Sequence, residues 1–580
     1  MLESVPKGVL EKPLPSLPEA DDVAKIVKST RRQFRYAVTD DDLLIVLQGI
    51  DDLFGKIESG EDEIRVRSFH LPHDQSIVAH YSEYRKAKLV AYSELADLLA
   101  TISRSSKGKR LEAFVNSTYL LDADRFASTS SKNLVAHLIL EQELVDSQMK
   151  RFQDVSLSTR CYGMIGGEVR HHFQSASRDR RARAYNSLIS QLNKNKAEML
   201  GQFLELHMLR RKIGERAGYK NFYEFATRRA GQTNTFRSNV HLFRLLIQEY
   251  VAPIISHVHQ LQWRRLGIED PEPWDLMYPA EFGVPVLSRQ AFPLEKTFID
   301  ASRYVCEAQV PAFEKMLDQG TLSTGVLSNT NDDSESSFFA NYSSGTRWLR
   351  AHDPEKNESY LLMEGIPQEI AANLFFYETG CLLFNQSQCS KGEYALPNAN
   401  SSLSRKIAGH SLSFLSQRTW GNFYGPMTMY AREYVLTELL LRLPLACALD
   451  EMEEFLTKAR VSDMNVFQHA WREIAKRYRI GGTSEMVPGF FPLDDAWLYS
   501  PTLWSIPLSN ITDAIALIAV LGVLPLGKQH QDLEHSTLRL LNVREGVEPT
   551  DRAREAGYPS PFKEETVRKS VFAIADFLAL

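Results

Sequence analysis

The sequence predicts a mainly α-helical fold, and three observations support this prediction. Apolar residues recur at three- and four-residue spacing through residues 21–212, for example in "SIVAHYSEYRKAKLVAYSELADLLATI", which is the period of an amphipathic helix. Strand-like patterns in the second half are restricted to "SFFANYSS" (337–344) and "SYLLM" (359–363). With 580 residues, 43% of them hydrophobic, the chain can bury a large core and form more than one lobe.

The first part of the chain divides into an extension and a helical lobe. Residues 1–20 are punctuated by prolines and predict an N-terminal extension. The amphipathic segments over residues 21–212 predict an N-terminal helical lobe. Gly218 is expected to end the long helix that closes this lobe, because glycine accepts the left-handed conformation found after helix C-termini.

Residues 213–580 predict a second, larger helical domain. A helical block is expected from 239 to 266 and another helix around 293–318. The Ser/Asn/Asp-rich residues 323–337 predict a loop. The apolar run 514–527 is too short to span a bilayer and contains a proline, so it predicts a buried helix.

Composition argues against several classes of partner. The net charge is -6, and basic and acidic clusters alternate along the chain, whereas a nucleic-acid surface usually forms a basic domain. Five cysteines without a CxxC pair predict free thiols in a reducing compartment. The first residues show no signal-peptide pattern. We therefore expect a cytoplasmic protein that binds neither nucleic acid nor membrane.

Four segments of the second part of the chain carry a family resemblance. They are residues 210–279, "KIAGHSLSFLSQRTW" (406–420), "LRLPLACALDEMEEFL" (441–456) and "AGYPSPFKEETVRKSV" (556–571). They resemble segments of the oligoendopeptidase F-like zinc metallopeptidases of the thimet oligopeptidase and neurolysin superfamily. Their order and spacing agree with the family from about residue 160 to the C-terminus. The resemblance implies a two-lobed helical fold, with a small β-sheet beside the metal-site helix and a deep channel between the lobes.

The family's reaction requires residues that this chain lacks. Zinc is held there by His-Glu-x-x-His on one helix and by a glutamate from a following helix, and the motif glutamate activates the metal-bound water. The histidines are four residues apart so that both lie on one helix face. No His-Glu dipeptide occurs in the sequence. The resemblance therefore predicts a degenerate member with no metal and no cofactor.

The relic of this motif is expected within "SYLLMEGIPQEIAANLFFYETGCLLF" (359–384). The family runs "N-x-G-T-x-x-D-V-x-x-L-x-H-E-x-G-H", and the preferred register matches its first glycine to Gly365. The His-Glu pair then falls on Phe375 and Phe376, and the second histidine falls on Thr379. In this register, the phenylalanines are expected to fill the space that the metal has left.

A rival register places Gln368 and Glu369 on His-Glu and Ala372 on the second histidine. It keeps the glutamate and neither histidine. In both registers, the third ligand is replaced by Lys406. A lysine ammonium at that position repels a dication, so zinc is not expected to bind.

The segment that binds substrate in the family has also diverged. Its histidine and tyrosines correspond to residues of "PTLWSIPLSNITDAIA" (501–516), where Pro507 is retained. Thr502 stands at the histidine, and Ser509 and Asn510 stand at the tyrosines. Because several parts of one mechanism are lost, we expect that the protein no longer hydrolyses peptides by that mechanism.

Four polar residues are candidates for a new chemistry at the relic site. His410 follows Lys406 by one helical turn, so both are expected to face the old metal position, as is Glu378. Glu364 is the fourth candidate. A Lys/Glu pair that replaces the charge of the missing dication is the simpler interpretation.

Two hypotheses follow for the function. In the first, the protein encloses a peptide or peptide-like ligand without hydrolysing it, with an active paralogue or a second copy of the chain as a further partner. The segment 336–348 supports this because it resembles the edge strand that holds an extended peptide, with Tyr342 and Trp348 nearby. In the second hypothesis, the cavity catalyses a metal-independent reaction on a peptide, an amino acid or a specialised metabolite.

Geometry is expected to discriminate between the two hypotheses. A sealed aromatic plug of Phe375, Phe376 and Trp504 favours the first. A water-filled pocket lined by ionisable groups with perturbed pKa values favours the second.

Overall fold

The chain is mainly helical in the computed structural model, as the sequence predicts. The structure describes residues 13–72, 74–111, 119–156, 159–160, 164–165, 173, 175–232, 236–276, 284–326, 347–353, 356, 358–389, 402–459, 463–480, 492–524, 530–543 and 549–578. Below, elements are numbered in chain order.

Among the described residues, six helices build the N-terminal part of the molecule. They are α1 (Ala20–Tyr36), α2 (Asp40–His70), α3 (Gln75–Ser103), α4 (Ser106–Leu111), α5 (Tyr119–Thr129) and α6 (Val135–Ser156). Thr39 and Asp42 cap the start of α2 by reciprocal side-chain to backbone hydrogen bonds, which satisfy amide groups that a helix N-terminus leaves without partners.

The helices of the larger part follow a short ribbon of β1 (Thr159–Arg160) and β2 (Met164–Ile165). The next helices are α7 (Arg178–Arg216), α8 (Phe222–Arg229), α9 (Phe236–Tyr250), α10 (Ala252–Arg265), α11 (Leu294–Val305) and α12 (Val310–Asp318). The remaining helices are α13 (Ala371–Cys389), α14 (Ser402–Ser416), α15 (Gly421–Tyr424), α16 (Thr428–Lys458), α17 (Met464–Arg477), α18 (Pro501–Ser505), α19 (Ser509–Leu521), α20 (His530–Asn542), α21 (Pro549–Glu555) and α22 (Glu564–Phe577).

A three-stranded sheet precedes α13. Its strands are β3 (Leu322–Val326), β4 (Arg347–Asp353) and β5 (Glu358–Ile366), and β5 lies in the middle, parallel to β3 and antiparallel to β4. The strand predicted at 359–363 is confirmed, and the one predicted at 337–344 lies outside the described residues. The loop prediction was wrong for 323–326, which belong to β3, because pairing with β5 overrides the local Ser/Thr/Gly composition.

Each of two helices predicted from the sequence is divided into two helices in the structure, and prolines explain both breaks. The block expected over 239–266 breaks at Val251, and α10 begins with Pro253 in its first turn. The helix expected around 293–318 likewise breaks before Pro311 in the first turn of α12. Proline has no amide hydrogen to donate, so it fits the first turn and interrupts a helix elsewhere. Gly218 has a φ of +82° after α7, as predicted.

Buried apolar side chains form two main clusters. One runs from Val23 to Phe126 and holds α1 to α5 together, and the other takes side chains from Leu134 to Leu578. The sequence predicts a lobe boundary at residue 212, whereas the division between the two apolar clusters falls between Phe126 and Leu134. Clusters of side chains do not define lobes, so the boundary at residue 212 stays a prediction.

The N-terminal helices contact the sheet directly. Ser59 of α2 donates to Asp353 at the end of β4 across 2.7 Å. Val66 of α2 packs with Leu349 and Leu362 in a small apolar cluster. These contacts fix the first cluster of helices against the sheet that leads into α13.

Two further expectations concern thiols and membranes. Cys306, Cys381 and Cys447 are free thiols, as predicted for these three. Helix α19 carries the apolar run predicted to be buried, and its side chains from Ala514 to Leu521 are buried. Among the described residues, no helix has both the length and the apolar character needed to cross a membrane.

Candidate functional site

Helices α13 and α14 approach each other closely because two glycines lie at their contact. A Cβ atom on Gly380 would lie 2.3 Å from the carbonyl oxygen of Ala408, and one on Gly409 would lie 2.8 Å from Cys381 Sγ and 2.9 Å from a ring carbon of Tyr377. Any larger residue would force the helices apart. The contact places Tyr377 and Cys381 on the side of α13 that faces α14.

A hydrogen-bonded polar cluster lies where these two helices meet α19. Tyr377 donates from its hydroxyl to Asp513 Oδ1 across 3.2 Å, and His410 Nε2 lies 3.2 Å from the same oxygen. Lys406 Nζ donates to the Ser509 carbonyl oxygen across 2.6 Å and to Ser509 Oγ across 3.3 Å. Asp513 and Ser509 are one turn apart, so one face of α19 serves both contacts.

Two guanidinium groups act electrostatically on Lys406 and Asp513, and we count them as part of the same cluster. Arg405 of α14 and Arg442 of α16 both act on the Lys406 ammonium, and Arg442 also acts on Asp513. The Asp513 cluster is defined here as Tyr377, Arg405, Lys406, His410, Arg442 and Asp513.

Solvent reaches the Asp513 cluster although helices surround it. The side chain of Asp513 is 27% exposed. Tyr377, Arg405, Lys406 and Arg442 are half-buried. The cluster is therefore not part of the dry core.

Burial and neighbouring charges shift pKa values within the cluster. Burial lowers the pKa of Lys406 to about 8, with Asp513 opposing the shift and Arg405 adding to it. Burial would raise the pKa of Asp513, but His410 and Lys406 hold it well below its usual range. Burial raises the pKa of Tyr377 well above its usual value, so its hydroxyl keeps its proton. Asp513 is thus an anion throughout the physiological range.

Of the other predicted polar candidates, Glu378 is buried beside the cluster. It forms an ion pair with Arg350 of β4, which joins the sheet to α13. The ion pair opposes the effect of burial and raises the pKa of Arg350. Glu364 is half-buried in β5 opposite Arg347, so it belongs to the sheet.

The aromatic residues of the preferred register lie in the core. Phe375 and Phe376 are fully buried; Phe375 stacks on Phe298 with ring centroids 3.8 Å apart and an interplanar angle of 13°. Thr379 is fully buried as well. Trp504 of α18 is fully buried. Phe375, Phe376 and Trp504 belong to the large apolar cluster, and the two phenylalanines lie on a different face of α13 from Tyr377 and Cys381.

The remaining predicted positions are spread over three elements. Thr502 lies in α18 within 3.2 Å of the Ser500 hydroxyl, and Asn510 is half-buried in the first turn of α19. Trp348 is half-buried in β4, where it pairs in register with Met363. Tyr342 lies outside the described residues.

The structure brings four residues to this site that the sequence reasoning missed. They are Tyr377, Arg405, Arg442 and Asp513. One signal was present for Asp513, because it is the single charged residue in "SNITDAIALIAVL" (509–521), and a buried charge needs a partner. Arg442 had no comparable signal, because its helix carries many charges.

The zinc ion that the family resemblance implies does not fit this cluster. Zinc sites in proteins are built from imidazole, thiolate and carboxylate groups. Here Lys406, Arg405 and Arg442 place positive charge around the single carboxylate of Asp513. Among the residues that the structure describes, no three His, Cys, Asp or Glu side chains are grouped so that they could hold a metal ion.

Solved structures share this fold over nearly the whole chain. A candidate oligoendopeptidase F matches with a TM-score of 0.85 and 16% identity over 98% of each chain. PZ peptidase A with an inhibitor matches with a TM-score of 0.84 and 16% identity over 98% of this chain and 99% of that one. A candidate oligoendopeptidase F from Bacillus anthracis matches with a TM-score of 0.81 and 16% identity over 97% of each chain.

These likenesses are structural. The sequence matches no protein-family model and no curated protein sequence. At 16% identity, similarity of structure establishes the fold and leaves the reaction open. The chain has the mainly helical fold of the oligoendopeptidase F structures.

Proposed function

We propose that the protein is a metal-free relative of the oligopeptidases that encloses a peptide or peptide-like ligand without zinc-dependent hydrolysis. One observation carries the proposal. The Lys406 ammonium lies in the Asp513 cluster, bound to Ser509, at the position that the resemblance gives to a zinc-ligating glutamate. Replacing a ligand by a cation removes a metal site more completely than replacing it by a neutral group, because the cation also repels the metal.

The helix contact supports a third register for the relic motif, which we infer here. Reading His-Glu-x-Gly-His onto Tyr377–Cys381 retains Glu378 and Gly380 without a gap. Tyr377 and Cys381 then replace the two histidines, and both face α14, which carries Lys406. This register also gives a reason for the glycine of the motif, since a side chain on Gly380 would strike the backbone of α14.

Peptide binding is supported by the fold and by solvent access. The neighbouring structures are oligopeptidase-like, and PZ peptidase A carries an inhibitor. The partial exposure of Asp513 and Lys406 keeps the relic site accessible to a ligand. Free thiols at three described cysteines support a cytoplasmic location. A peptide partner, with a paralogue or second copy beside it, stays a prediction.

The first experiment measures metal and cleavage together. Tag-free protein is analysed by plasma mass spectrometry, and quenched-fluorescence peptides are incubated with it, with and without added zinc. We expect well under one equivalent of zinc and no chelator-sensitive cleavage. One equivalent of zinc together with cleavage that a chelator abolishes would overturn the proposal.

Two restoration variants test the register. The triple variant Tyr377→His, Cys381→His, Lys406→Glu rebuilds a two-histidine, one-glutamate ligand set with the retained Glu378, and we expect it to take up zinc. The matched variant Phe375→His, Phe376→Glu, Thr379→His, Lys406→Glu puts polar groups into the core, where they cost several kcal/mol, so we expect it to unfold. Zinc uptake by the second variant and not by the first would refute the third register.

A metal-independent reaction is the second candidate, and one observation favours it. Lys406 has a pKa of about 8, so a useful fraction of it is a neutral amine near neutral pH, in a solvent-accessible site that also holds His410 and Asp513. Such an amine can act as a base or a nucleophile. Product formation from a peptide pool, followed by mass spectrometry and abolished by Lys406→Met, would support this candidate over simple binding.

A further inference from the structure

We propose that the Asp513 cluster binds the carboxylate of its ligand, with Arg405 and Arg442 as the recognition residues. This inference deepens the proposed function and rests on it, because it names the chemical group by which a peptide is held at the relic site. The ligand class is a peptide with a free C-terminal carboxylate.

The first step is the pairing of charges around the cluster. Four cations lie here or next to it, Arg350, Arg405, Lys406 and Arg442, together with two carboxylates. Arg350 is paired with Glu378, and Asp513 accepts from Tyr377 and lies against His410. The Lys406 ammonium donates to Ser509.

Two guanidinium groups are left over from this pairing. Among the residues that the structure describes, neither Arg405 nor Arg442 has a carboxylate within ion-pair distance. Burial and the neighbouring Arg350 lower the pKa of Arg405, and Glu378 partly opposes this shift. A half-buried cation without a counterion is costly, and an anion from outside would remove that cost.

The second step is access. Arg405, Lys406 and Arg442 are all half-buried, and Asp513 is 27% exposed, so the cations that lack a carboxylate are also reachable from solvent. Arg405 and Arg442 come from different helices, α14 and α16, and both act on Lys406. A ligand group that contacts Lys406 would therefore lie within the electrostatic influence of both guanidinium groups.

The third step is the chemistry of recognition. Guanidinium groups bind carboxylates through paired, charge-assisted hydrogen bonds. The zinc site that the resemblance places here would supply two positive charges. With four cations and two carboxylates among the described side chains, the cluster keeps an excess of positive charge without a metal. The site thus retains an attraction for an anion after loss of the catalytic ion.

The test uses matched peptides. N-acetylated alanine peptides of three to eight residues are titrated calorimetrically as free acids and as C-terminal amides. We expect the acid to bind about tenfold more tightly or better, as for a hydrogen-bonded charged group. Arg405→Gln and Arg442→Gln should each weaken binding of the acid and leave binding of the amide unchanged. Arg472→Gln is the control, since it removes an exposed positive charge elsewhere.

Each outcome decides a different point. Equal binding of acid and amide, unchanged in both arginine variants, overturns the carboxylate inference and leaves the proposed peptide binding intact. If neither peptide form binds, the proposed function fails, and inorganic phosphate then tests the anion site alone by its effect on the melting temperature. Stabilisation by phosphate that is lost in the double variant Arg405→Gln, Arg442→Gln keeps the oxyanion site, whereas no stabilisation overturns it. Circular dichroism of each variant confirms that it is folded.

Discussion

The Arg244 cluster and the Asp513 cluster both lie between helices, and they differ in how their charges are paired. The Arg244 cluster, defined as Tyr223, Arg244, Asp450 and Glu454, is saturated. Arg244 donates from Nε to Asp450 across 2.8 Å and from Nη1 to Glu454 across 2.6 Å, and Tyr223 donates to Asp450 across 3.1 Å. In the Asp513 cluster, two guanidinium groups lack a carboxylate partner among the described residues.

The difference distinguishes charges that the described part of the chain neutralises from charges that it does not. A buried charge that serves the fold must be neutralised by the protein itself, since otherwise it costs several kcal/mol. The Arg244 cluster meets that condition. Within the described part of the chain, the Asp513 cluster does not meet it, and it is also the cluster that solvent reaches, with 27% of the Asp513 side chain exposed. This is the property on which the proposed ligand binding depends.

The largest expected effect comes from breaking the saturated cluster. Arg244→Leu leaves the buried Asp450 without its cation, whereas Glu454 keeps its ion pairs with Arg237 and Lys458. We expect the substitution to lower the free energy of unfolding by about 3–5 kcal/mol. Urea denaturation followed by circular dichroism measures this. Arg265→Leu is the control, because its ion pair with Glu433 is 39% and 34% exposed, and such pairs contribute about 1 kcal/mol or less. Equal losses in the two variants would remove the basis of the comparison.

A pH effect near the saturated cluster should be the next largest. Glu453 accepts from the Leu508 amide across 3.2 Å and lines a cavity of about 20 Å³, next to His207 and Arg210, which is room for about one water. Burial, with Asp450 adding to it, raises the pKa of Glu453 to about 8.

The sign of this effect follows from the direction of the shift. Between the unfolded pKa of about 4.3 and about 8, the folded chain keeps a proton that the unfolded chain loses. Stability should therefore fall by about 1.4 kcal/mol per pH unit across this window. Glu453→Gln should remove this contribution. The free energy of unfolding of the variant should therefore rise relative to that of the wild type as pH rises from 5.5 to 7.5. Parallel stability curves in urea would contradict the shift.

The contact that shapes the Asp513 cluster predicts a smaller loss. Gly380→Ala places a methyl group 2.3 Å from a backbone oxygen of α14, and we expect it to cost about 1–3 kcal/mol. Gly201→Ala in α7 is the matched control, because nothing lies within 4 Å of its Cβ, so the better helix propensity of alanine should stabilise by about 0.5–1 kcal/mol. Thermal unfolding of both variants gives opposite signs if the contact is as described.

The smallest effect is expected at Arg405, for which the described residues provide no carboxylate partner. Arg405→Gln should therefore change the free energy of unfolding by about 1 kcal/mol or less, in contrast to Arg244→Leu. Urea denaturation in ligand-free buffer measures it. A loss of several kcal/mol would show that Arg405 stabilises the fold, and it would contradict our interpretation of the Asp513 cluster.

Helical periodicity was enough to predict most of the fold. The end of α7 just before Gly218, the strand at 359–363 and the buried helix α19 follow from local chemistry, because chain conformation at these points depends on a few neighbouring residues. Strand β3 could not be predicted in this way, since residues 323–326 are extended through pairing with β5, which lies more than thirty residues later.

For the site, the sequence by itself determined what is missing. No arrangement of the chain can supply a His-Glu-x-x-His motif, and Lys406 and His410 share a helix face by spacing alone. The tertiary structure decided which side of α13 meets them. Helix phase within α13 depends on where Gly380 allows α14 to approach, so Tyr377 faces the cluster while Phe375 enters the core. The gathering of Arg405, Arg442 and Asp513 likewise needed the packing of three helices, because electrostatic neighbours are set by distance in space and not along the chain.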